Sequence, residues 1–181
     1  MEMTRHVIRA KTVAAVYSAL IYQSAGLSYD PKELLRNAFD GLPLKKIDLA
    51  YQEVFAKALA EQDAITAAID AFLAGWTFER LSMVTQAIFL VSYSETVIVK
   101  CVPKPVSINE AINLAREFVD EGETKYVNAV LERTLSKALG IPGDYGKVVV
   151  AAKDMALDSK ALQAATGQEP AGSKLPAGKE A

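Results

Sequence analysis

One stretch, residues 102–135, restricts the fold more than any other: VPKPVSINEAINLAREFVDEGETKYVNAVLERTL. Pro103 and Pro105 interrupt the preceding element. Ser107 followed by Glu110 has the spacing of a capping box, in which each side chain satisfies a backbone donor orphaned at a helix start. Ile108, Ala111, Ile112, Ala115 and Val119 then recur at helical spacing. Gly122 is read as a break, Thr124 as the cap of the next helix, and Val127, Val130, Leu131 and Leu135 as its apolar stripe. The stretch predicts two helices in a hairpin, each with a buried face.

Upstream, the same periodicity repeats. A first helix is predicted over 4–24, with Val13, Val16, Tyr17, Leu20 and Ile21 as a core-facing stripe. Carried back in steps of four, that stripe meets Arg9 and Arg5, which are expected to emerge at the rim because an unpaired charge is costly in a core. Asp30-Pro31-Lys32-Glu33 is a helix start, with a capping carboxylate and a proline at the first helical position. Further helices are predicted over 45–61 and 63–73, and a central one over 77–93. The run 87–91 is apolar on every side, as a fully enclosed helix requires. Val97-Ile98-Val99 favours a strand but has no evident partner, so 94–102 is left between a short helix and an extended run. These elements make an all-α domain over 1–140, followed by a candidate extra helix within 141–166 and a disordered tail over 167–181.

Composition narrows the chemistry. Apolar residues make up 51% of the 181-residue chain, enough for a sizeable core. No run reaches the roughly 18 apolar residues of a membrane span. The basic residues before 13–22 lead into a run broken by Tyr17, Ser18, Tyr22 and Gln23, which fits an amphipathic first helix better than a leader. The single cysteine, Cys101, excludes an internal disulfide and fits a reducing, cytoplasmic setting. One Cys and one His form no metal-ligand cluster, so no metal or cofactor is expected. No phosphate loop, nucleophile elbow or zinc motif is present, and no enzymatic activity is expected. The net charge of −2 confines any nucleic-acid site to a local patch. Candidates are Arg5, His6, Arg9 and Lys11 near the start, and Lys100, Lys104, Arg116 and Lys125 later. Phe118 and Tyr126 flank the hairpin turn, where either can stack on a base or pack in the core.

Several strings resemble the NusB family in order and spacing. Arg9 with Val13, Ala15, Val16 and Tyr17 is similar to its first helix. Trp76-Thr77-Phe78-Glu79-Arg80-Leu81, then Ile88 and Tyr93-Ser94-Glu95, is similar to its central helix. Val102-Pro103-Lys104, Ile108-Asn109-Glu110-Ala111 and Lys125-Tyr126-Val127-Asn128 resemble its hairpin. The resemblance implies a bundle of two packed three-helix subdomains. It also implies an RNA-binding transcription antitermination factor that works on single-stranded boxA RNA with NusE, a small-subunit ribosomal protein. Other Nus factors and RNA polymerase join indirectly, notably in ribosomal RNA operons. Arg5, His6, Arg9, Lys104, Phe118, Lys125 and Tyr126 are the RNA-binding residues expected on this basis. His6 and Val7 replace arginines usual in the family, Ala129 replaces a glycine, and Gly122 an acidic residue. These departures bear on RNA affinity and not on the fold. Some members self-associate, so a homodimer is one expected state. Two other readings stay open: a protein-interaction scaffold with weak or no RNA binding, and the RNA-binding domain of an rRNA methyltransferase. The second lacks its nucleotide-binding domain here.

Overall fold

Helix α1, Arg5–Ser24, starts where Thr4 Oγ1 accepts from the Val7 amide. Its buried face holds Thr12, Val13, Ala15, Val16, Ala19 and Leu20, while Tyr17 and Ile21, expected inward, are exposed. The buried face is rotated from the expected stripe toward Ala15 and Ala19, both fully enclosed, and α1 packs along a later helix, α5 (Met83–Tyr93). These coordinates are a computed structural model that describes residues 3–150.

Asp30 caps α2, Pro31–Ala38, by accepting from the Lys32 amide at 2.9 Å. The helix expected over 45–61 is divided. A 3-10 turn, Leu44–Lys46, precedes α3, Leu49–Ala60, because Asp48 accepts from the Ala50 amide and opens a new helix. After α4, Gln62–Asp70, the chain forms a two-residue strand β1, Leu73–Ala74, then a 3-10 turn, Phe78–Arg80. In α5, every residue from Thr85 to Ser92 is buried, as its all-round apolar sequence requires. The undecided segment after it is a π-helical turn, Ser94–Ile98.

Helix α6 runs Lys104–Phe118 and α7 runs Glu121–Ala138. The expected capping box does not form: the helix begins four residues earlier, behind Pro103, with Pro105 in its first turn. Nor does Gly122 break the chain. Asp120 caps α7 by accepting from the Glu123 amide at 3.0 Å, and Gly122 lies in the first turn. Buried Glu123 accepts from Ser82 at 2.8 Å and from Thr85, tying the start of α7 to the start of α5.

Helices α1–α3 pack as one group and α5–α7 as another, with α1 laid against α5 and α4 touching α3, α5 and α7. Among the described residues no helix is long and apolar enough to cross a membrane. The chain then folds back as strand β2, Val148–Val149, parallel to β1 in the register Leu73–Val148 and Ala74–Val149. Val150 joins the core. The packed unit therefore continues past 140, and no helix forms over 141–150. The rest of the candidate helix, and the tail over 167–181, lie outside the described residues.

Candidate nucleic-acid interface

The expectation that Arg9 emerges at the rim is corrected. Arg9 is 2% exposed and faces Glu95, which is 0% exposed. Its Nε donates to both Glu95 oxygens at 3.1 and 3.0 Å, and Nη1 donates to Glu110 at 3.2 Å. The guanidinium also lies 5.8 Å from the Tyr51 ring centroid. Glu95 sits in the π-helical turn and further accepts from Ser107 at 2.6 Å and from the Tyr51 hydroxyl at 3.4 Å. Burial raises its pKa above the ordinary carboxylate value, against the opposing pull of Arg9. Such a charge survives in the interior because every side of it meets a donor.

Ser107 is thus a partner of this carboxylate and not a cap. Ser107→Ala should cost about 1.5–3 kcal/mol, the range for a hydrogen bond to a charged group. Chemical denaturation measures it; a loss of only a few tenths would mean that Glu95 needs no help from this hydroxyl.

Glu110 is likewise occupied at the surface. It takes Arg9 from one side and His6 Nδ1 from the other at 2.8 Å, while His6 Nε2 lies 3.0 Å from Glu117. Arg5 is exposed beside them, and a hollow of about 300 Å³ lies between Arg5, His6, Cys101, Pro103 and Val106. Lys104 is half-buried and turned toward α7, where it pairs with Glu132 and donates to Ser136 at 3.0 Å.

The hairpin end of α6 is different. Phe118 is 56% exposed, so its place in the last turn leaves it outside the core. Lys125 is exposed one turn into α7. With Arg116, Glu121, Thr124 and Asn128 it lines an open groove of about 580 Å³ that also holds Ile112 and Val119. Tyr126, the next residue, is 4% exposed. It shares the inward face with Val127 and Val130, beside Thr85 and Glu123, and offers no ring face to a base. Asn128, outside the expected contact residues, stands three positions after Lys125 and so shares its face of α7. Arg5 and His6, with Glu110 and Glu117, form one surface patch, and Arg116, Lys125 and Asn128 line a separate groove. Arg9 and Tyr126 are behind them, and Lys104 is directed elsewhere.

Two helical triplets, joined through α1 and α5 and locked by a buried Arg–Glu pair, define an all-α bundle protein whose hairpin end exposes Phe118, Arg116 and Lys125 beside Glu117 and Glu121. The chain belongs to the NusB family, whose model matches residues 6–136. It is 30% identical over 134 residues to the transcription antitermination protein NusB of Bacillus licheniformis, an alignment spanning 74% of this chain and 98% of that one. The NusB of Bacillus subtilis strain 168 is also 30% identical over 134 residues, spanning 74% and 96%. The solved structure of T. maritima NusB superposes with a TM-score of 0.63 at 20% identity, covering 86% of this chain and 99% of that one. A crystal structure of the antitermination factors NusB and NusE in complex with dsRNA gives 0.61 at 18% identity, covering 74% and 96%. Both share the fold.

Proposed function

We propose that this chain is an RNA-binding transcription antitermination factor. It acts in the cytoplasm with NusE on single-stranded boxA-like RNA, notably in ribosomal RNA operons, with other Nus factors and RNA polymerase engaged indirectly. The observation that carries the reading is the hairpin end: a ring exposed in the last turn of α6, and a groove that holds Arg116, Lys125 and Asn128 together with Glu121. Aromatic faces for bases and cations for phosphates are the two parts of a single-strand site. Arg5, exposed at the start of α1, and His6 beside it add a second, separate patch. Membership of a family whose relatives carry the antitermination name supports the same reading.

The test is anisotropy of a labelled boxA-like RNA, with and without NusE. Phe118→Ala should weaken binding by about 1–3 kcal/mol, the range for one base–aromatic stack. Arg5→Ala combined with Lys125→Ala should weaken it further and flatten the salt dependence by about 0.7 log units per lost phosphate contact. Unchanged affinity in both variants would exclude the hairpin end as the site. The second reading, a scaffold with weak or no RNA binding, draws on a specific observation: Arg9 and His6 already face carboxylates of the protein itself. It predicts NusE capture with no RNA-dependent, salt-sensitive signal.

A further inference from the structure

His6 stands between two carboxylates of one helix. Its Nδ1 is 2.8 Å from Glu110 Oε2 and its Nε2 is 3.0 Å from Glu117 Oε1. A neutral imidazole has one N–H and one bare lone pair. In this geometry the lone pair would point at a carboxylate oxygen, so only the imidazolium donates to both partners.

We propose that His6 and Glu117 are positioning residues that make RNA binding at the α1–α6 surface proton-coupled. The protonated ring pins the first turn of α1, with Arg5 on it, against α6. It also cancels a carboxylate charge that would repel phosphate. The inference rests on the RNA reading above and names how that surface is controlled.

The charged and titratable groups around the ring are few. From α6 come Glu110 and Glu117; from α1, Arg5 and Arg9; from the loop before α6, the Cys101 thiol. Arg9 is held by Glu95 and Glu110. Burial raises the Cys101 pKa, so the thiol stays neutral while the histidine titrates. The hydrogen bond to Glu110, opposed by burial of the ring and aided by the charge of Glu117, raises the His6 pKa above its ordinary 6.5. A group whose pKa rises on folding supports the fold fully below its unfolded value. That support fades as pH climbs through the folded value. With His6 charged, the cations Arg5, His6 and Arg9 balance Glu95, Glu110 and Glu117; without that proton, the cluster is left with one excess negative charge. An incoming phosphate further favours the charged ring, so binding takes up a proton.

The experiment follows RNA affinity of the full chain between about pH 5.5 and 8.5 at constant ionic strength, alongside an NMR titration of the imidazole. His6 is the only histidine, so the signal has one source. Wild-type affinity should fall several-fold across that range, at most about tenfold per pH unit for one coupled proton. His6→Arg should bind independently of pH at the low-pH level, and His6→Gln independently of pH at the weaker level. Glu117→Gln should lower the His6 pKa and shrink the slope. Equal wild-type affinity at all pH values, or a slope that survives in His6→Gln, overturns the coupling while leaving RNA binding intact. No binding at any pH overturns the RNA reading itself, and the coupling with it, even if the imidazole still titrates above its ordinary value.

Discussion

Arg9→Ala should destabilise the protein by about 3–5 kcal/mol, the range for removing one partner of a buried ion pair. The substitution leaves Glu95, wholly enclosed, with only the Ser107 and Tyr51 hydroxyls as donors. Glu110 at the same time loses its link to the interior. Urea denaturation measures the loss, and the double change Arg9→Met with Glu95→Met should recover much of it, because no unpaired charge remains. Arg9→Lys should recover little, since an ammonium cannot reproduce the fork that meets both carboxylates. Arg5→Ala, by contrast, should leave stability nearly unchanged, as an exposed charge does. The two arginines sit one turn apart and differ entirely in role. A loss below about 1 kcal/mol for Arg9→Ala would mean that the pair is not desolvated as described.

The hairpin provides the second large effect. Leu131 is 0% exposed on the inner face of α7, and Leu131→Ala should cost about 2–5 kcal/mol. Ile112, expected in the same core, is only partly buried and lines the groove with Arg116 and Lys125. Its truncation should cost clearly less than that of Leu131. Thermal unfolding of the two variants side by side checks the ranking; equal losses would place Ile112 in the core after all.

Local signals carried much of this fold into view. Asp30 before Pro31 marks a helix start by chemistry alone, and the all-apolar run within α5 can only be a centre. The inner stripe of α7 follows from spacing. The errors have physical causes. Arg9 looked like a rim residue because its partner lies 86 positions away, where no local pattern reaches. Ser107 and Glu110 have the spacing of a cap, yet both side chains are drawn to groups from other elements: Ser107 to Glu95, Glu110 to His6 and Arg9. Lys125 and Tyr126 are adjacent, and a helix turns about 100° per residue, so one faces solvent and the other the core. Phe118 was undecided because its exposure depends on where α6 stops, and helix ends are poorly specified by periodicity.

The pairing of β1 with β2 bears on where the folding unit ends. The family match stops at 136, but Val148 and Val149 close a ladder on Leu73 and Ala74, and Val150 fills a place in the core. Between them, Asp144 holds Arg133 at 3.0 Å and the Tyr145 ring lies 6.4 Å from that of Phe72. Residues 141–150 thus act as a strap from the end of α7 back to the turn between α4 and α5. A fragment trimmed to the segment that the family model matches would open a strand edge and uncover apolar surface at that turn. In this chain the smallest piece that can unfold as one body is longer than the family's shared segment.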